Sequence, residues 1–168
     1  MKRLCIPFAV ALCAVACQPT AAPETAPPSA TLPVSHNEVM VALVNHAADP
    51  IWVAAWRNPS NDAQWRELER LAYQLRIAGS LLEMPGTGPM DAQWASDEGW
   101  RGWTQKLAAS GELALEAAKT RDLELVGTAG DRIVDACEGC HLEFKPDLPT
   151  GGLFGEISPN EDDFDEGP

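Results

Sequence analysis

The sequence predicts an all-α protein, an antiparallel four-helix bundle, and three observations lead there. Apolar residues recur at helical spacing through residues 34–147, with neither strand-like alternation nor an internal repeat. They fall into four stretches of similar length. The turn-rich segments between those stretches are short, which makes successive helices neighbours running up and down in turn.

Ser35-His36-Asn37-Glu38 reads as a capping box, with Ser first and Glu three residues later. It opens a first helix with an inward stripe of Met40, Leu43/Val44, Ala47, Ile51 and Ala54/Ala55. Pro50 cannot donate to the helix ladder, so a kink or a restart capped by Asp49 is expected there. Asn58-Pro59-Ser60-Asn61 ends this helix.

The second helix is predicted over 62–83, with Trp65, Leu68, Leu71/Ala72, Leu75 and Ala78/Gly79 down one side. Pro85-Gly86-Thr87-Gly88-Pro89 is a loop. A third helix begins near Asp91 or Asp97 and carries Trp94, Trp100, Trp103, Leu107 and Leu113, with a break expected at Gly111. The fourth is predicted over 122–144, with a stripe of Leu123, Val126, Gly130, Ile133/Val134, Cys137 and Cys140/His141. Pro146 stops it.

The ends read as segments outside the fold. Residues 1–16 have the pattern of a secretory signal, Lys2 and Arg3 before a short apolar run. Ala14-Val15-Ala16-Cys17 resembles a lipoprotein processing site, with Ala14 where Leu is commoner; ordinary cleavage near Ala16 or Ala22 is the alternative. An acylated Cys17 would anchor the chain to a membrane. Residues 17–33, rich in Pro, Ala and Thr, read as a semi-rigid linker. Residues 148–168 read as an acidic disordered tail, with Glu156, Glu161, Asp162, Asp163, Asp165 and Glu166 among Gly and Pro.

Cys137-Glu138-Gly139-Cys140-His141 carries the chemistry. Cys-x-x-Cys-His is the attachment signature of c-type haem. Two cysteines three residues apart share a helix face, with Cβ atoms roughly 5–6 Å apart, so each thiol can add to one haem vinyl group as a thioether. His141, four residues after Cys137, lies on that face as the proximal iron ligand. Competing readings are a zinc half-site, for which only His36 and His46 remain as partners, a thioredoxin-like redox pair, and a plain disulfide. The first lacks ligands, the second lacks a preceding strand, and the third leaves His141 unexplained. Of the five cysteines, the other three lie in the signal and processing site, so no disulfide framework holds the domain.

A Cys-x-x-Cys-His near the end of the last of four helices resembles the class II c-type cytochromes, the cytochrome c-prime group. Ala136 to Lys145, with Phe144 and Lys145 after the motif, is similar to that family's ending; the first three helices match by length and pattern only. The resemblance implies a single covalent haem c, one-electron transfer with redox partner proteins in the periplasm, and a homodimer through the first two helices. It also implies a choice at the sixth iron position. Met40 falls near the family's distal residue and would saturate the iron, favouring its reduced state; packed as core filling, it would leave the iron five-coordinate and open to NO or CO.

Met84 and Met90 are weaker candidates, and His46 stands off the inward line. The first helix lacks the base before Met40 that such proteins often direct at a haem propionate, leaving Arg57, Arg66, Arg70, Arg76 or Lys145. The six tryptophans read as core and haem-wall residues, with Trp52 and Trp56 placed to lie along a porphyrin edge.

A net charge of −13 opposes nucleic-acid binding and suits a basic redox partner or plain solubility. No general acid–base pair or activated nucleophile stands out, so the chain is not read as an enzyme. A haem subunit or sensor docked on a larger complex is the third functional expectation.

Overall fold

A computed structural model describes residues 30–147, and the expected signal, Cys17, most of the linker and the acidic tail lie outside them. The described chain is all-α. Four long helices, α1 (His36–Arg57), α2 (Asp62–Leu81), α4 (Glu98–Thr120) and α5 (Leu123–Phe144), are joined by short connections, with a one-and-a-half-turn helix α3 (Asp91–Ser96) before α4.

Each long helix starts at a side-chain cap. Ser35 and Glu38 form the expected reciprocal box, and Asn61, Asp97 and Asp122 each accept hydrogen bonds from first-turn backbone N–H groups. The alternatives Asp91 and Asp97 both hold, one opening α3 and the other α4. α1 ends at Asn58, whose φ of 49° is a conformation asparagine tolerates well.

Each long helix packs on two others, α1 and α4 each against both α2 and α5. The four close around one core, fed by the predicted stripes: Val44, Ala47 and Ile51 from α1, Leu68, Leu71 and Leu75 from α2, Trp100 and Leu107 from α4, and Val126 and Ile133 from α5. Among the described residues α1 is the one helix long and apolar enough to cross a membrane, and one face of it packs on this core.

Several expectations are corrected. α1 runs through Pro50 without a restart at Asp49. The carbonyl that Pro50 leaves without its usual donor belongs to His46, and both residues are exposed, so water can satisfy it. α4 is not broken at Gly111, which is buried against the backbone of Arg76. Leu123 is 43% exposed rather than inward. The linker gives way to packed structure before Pro33: Leu32 is buried, its N–H donates to Pro85 O at 2.8 Å, and Thr87 N–H donates back to Val34 O at 3.1 Å.

One feature of α1 has no counterpart in the sequence reading. Residues Met40–Val44 form a π turn, in which Asn45 N–H reaches back five residues to Met40 O. Such single wide turns inside α-helices concentrate at functional sites.

Candidate functional site

The N-terminal half of α1, the end of the Pro-Gly loop, α3 and the C-terminal end of α5 enclose a cleft of about 400 Å³. Met40, Val41 and Asn45 enter from α1, Met90 from the loop, Trp94 and Trp100 from α3 and α4, and His141 and Lys145 from α5. Met40 and His141, distant in sequence, thus line one space. Among the described residues the His141 ring makes no hydrogen bond or ion pair.

The cleft wall is aromatic. Trp94 and Trp100 stack with centroids 4.9 Å apart, His36 stacks on Trp100 at 5.2 Å, and Phe144 meets Trp100 edge-on at 5.3 Å. Trp100 is fixed by its indole N–H, which donates to Leu82 O at 2.7 Å. Tryptophan bodies held this way exclude water while the N–H stays paired. Lys145 brings its Nζ to 4.8 Å over the Trp94 ring.

His36 is the residue sequence reasoning undervalued. It is 1% exposed, and its Nε2–H donates to Met84 O at 2.8 Å. A carbonyl only accepts, so the bond puts a proton on Nε2. Nδ1 then lies 3.6 Å from the buried Asp91 carboxylate, too far for a hydrogen bond. Asp91 Oδ2 accepts from the N–H groups of His36 and Gly88 at 2.8 and 2.7 Å, tying the start of α1 to the loop. The only sequence signal for this cluster was that His36 shares a face with Met40, one turn away.

Cys137 and Cys140 lie on α5 before His141, half-buried against the core and unpaired as a disulfide. Neither lines the cleft itself. Burial pushes the Cys137 thiol up to about 11 and Cys140 to about 12, reinforced by neighbouring acids including Asp49, Glu138 and Glu143. Thioredoxin-like pairs need the opposite, a thiolate favoured by nearby positive charge. Gly139 between them sits under the tip of the Trp103 ring: a Cβ there would stand 2.2 Å from it, so the ring would have to shift. Trp103 is held by its N–H to Glu143 Oε2 at 2.7 Å and by Lys106, whose Nζ sits 3.7 Å over the ring.

The other expected residues distribute plainly. Of the five bases considered for a propionate, Lys145 lines the cleft; Arg57 borders a different groove, Arg76 pairs with Glu112, Arg70 pairs with Glu67, and Arg66 is exposed. Met90 lines the cleft, whereas Met84 contributes its carbonyl to His36. His46 is exposed. Trp52 and Trp56, expected along a porphyrin edge, do not line the cleft; they meet edge-to-face at 6.4 Å and are 38% and 72% exposed. Trp94 and Trp100 line the cleft instead.

These residues fit a covalent haem. Two neutral thiols and an imidazole share one helix, a thioether faces the imidazole's cleft, the wall is aromatic, and one cation sits at the rim. Among the described residues no three His, Cys, Asp or Glu side chains converge as a bare metal ion would need. A haem iron takes its equatorial ligands from the porphyrin and asks the protein for only one or two. Comparison of the chain with known families, curated proteins and solved structures finds no match.

Proposed function

We propose that this chain is a c-type cytochrome that carries single electrons. In this reading the four long helices are an antiparallel bundle, supported by their cyclic packing and short connections. One haem c is joined to Cys137 and Cys140, with His141 as proximal ligand and Met40 as distal ligand. The observation that carries the proposal is that Met40 and His141, from the first and last long helices, line one aromatic-walled cleft, with two unpaired thiols just before His141 on its helix.

When bound, haem supplies a metal that gains and loses one electron. The chain's part is to fix that change. His141 donates imidazole nitrogen, and the soft Met40 sulfur favours the reduced iron and occupies the position a gas would take. Trp94, Trp100 and Phe144 keep water from the ring, lowering the reorganisation that accompanies electron transfer. Lys145 offers positive charge to a propionate. No catalytic step is assigned.

An optical spectrum of the holoprotein, oxidised and reduced, with and without CO, tests this. Low-spin bands indifferent to CO are expected, and Met40→Leu should convert them to high-spin bands that shift with CO. A parent protein already high-spin and CO-reactive would replace this reading with that of a gas-binding haem protein.

The proposal includes export to the periplasm and tethering through an acylated Cys17, on the signal pattern of residues 1–17. The charge of −13 favours a redox partner with a basic docking face. Cys17→Ser should move the protein from the membrane to the soluble fraction; continued membrane association would remove the lipid anchor.

A further inference from the structure

The π turn in α1 determines which way Met40 faces. At about 100° per residue, Val39 and Val44 would stand about 140° apart on an uninterrupted α-helix. Both are buried, at 2% and 1% exposure, which a straight helix would not allow on one face. The extra residue accommodated at Met40–Val44 rotates everything before it by about 100° relative to everything after it. Val39 thereby rejoins the core line, and Met40 is carried round with it to the cleft that His141 lines.

A π turn is disfavoured against the regular helix it interrupts, so something must hold it. α2 packs against this turn. From α2, Gln74 reaches across and its Nε2–H donates to Leu43 O, inside the turn, at 2.9 Å in a half-buried setting. Among the hydrogen bonds described, this is the one that a neighbouring helix makes to a π-turn carbonyl.

We infer that Gln74 is a positioning residue: by bonding Leu43 O it holds the π turn that presents Met40 to the iron. This rests on the proposed cytochrome reading and deepens it, since it makes the sixth ligand depend on a residue of another helix. If the turn reverts to regular helix, Met40 swings away by about 100° and the distal position opens.

The test compares ferrous holoprotein of the parent, Met40→Leu, Gln74→Leu and Gln74→Glu under CO. Gln74→Leu should hold about fivefold more CO-reactive haem than the parent, the factor one such hydrogen bond supplies, with covalent haem content and helix content unchanged. Gln74→Glu should match Gln74→Leu at neutral pH, where a carboxylate only accepts. It should return towards the parent below about pH 4.3, where the protonated carboxyl can donate.

Gln74→Leu indistinguishable from the parent, while Met40→Leu opens the iron, would overturn the positioning role and leave the cytochrome reading intact. A parent that already binds CO, unaltered by Met40→Leu, would instead remove Met40 ligation and this inference with it. Should Gln74→Leu not fold, amide exchange at Asn45 to Ala48 in Gln74→Glu holoprotein at neutral pH decides. A rise of about fivefold supports the inference, and unchanged protection overturns it.

Discussion

A Cys137→Ser/Cys140→Ser double variant, made in cells competent for haem attachment, should contain no haem that survives denaturation. The serine hydroxyl keeps the size and polarity of the thiol but does not add to a vinyl group, so both thioethers are lost at once. Each single variant should retain the pigment through the remaining sulfur. His141→Ala should also retain it, because the covalent links do not pass through the imidazole, yet its bands should shift as the proximal nitrogen is lost. A haem-stained denaturing gel and a spectrum of each variant separate these outcomes. Pigment that stays with the double variant on the gel would sink the attachment reading. Indifference of the His141→Ala spectrum would sink the proximal assignment alone. The setting of the two sulfurs makes this sharper than a motif match: both are half-buried, near acids, and held protonated by burial. That setting is poorly suited to thiolate exchange chemistry and compatible with sulfurs that end in a core.

Much of the helical layout was legible because single local rules decide it. Ser35 with Glu38, Asn61, Asp97 and Asp122 each satisfy first-turn N–H groups, and the stripes that follow carry most of the core. That Cys137, Cys140 and His141 stand together on one helix was legible too, since they lie within five residues of chain. What the sequence hid depends on contacts between elements. Pro50 reads as a kink or a restart, but its exposed position lets solvent replace the lost bond and the helix runs on. The π turn leaves no local mark at residues 40–44; it is apparent only once Val39 and Val44 are known to be buried together. Trp52 and Trp56 share a helix face with spacing that suggests a wall, whereas the wall is built by Trp94 and Trp100 through a stack that includes His36. No periodicity in α1 announces that His36 will meet Met84 and Asp91 across the loop. Helix spacing specifies a face, and the identity of the neighbour on that face is settled elsewhere in the chain.

Gly111 illustrates this, and replacing it by leucine should cost about 3 kcal/mol in urea unfolding. Read locally, a glycine in mid-helix is a weak point, costing about 1 kcal/mol against alanine. In the structure it is where α4 touches α2 backbone to backbone: a Cβ there would stand 2.6 Å from Arg76 N and 2.9 Å from Arg76 Cα. Gly79 makes the reciprocal contact, its added Cβ falling 2.7 Å from Ala108 N. Neither neighbour is a flexible side-chain tip, so the two helices must separate, and the leucines and alanines flanking the seam lose their packing as they do. Gly102 lies on the same helix with nothing within 4 Å of an added Cβ. Gly102→Ala should therefore stabilise by about 1 kcal/mol, through propensity alone. The opposite signs are the content of the prediction, because a purely local account of glycine requires both substitutions to stabilise. A Gly111→Leu variant as stable as the parent would mean that α2 and α4 do not approach this closely. The spacing of the ring that carries α1 and α5, and with it the cleft between Met40 and His141, would then have to be redrawn.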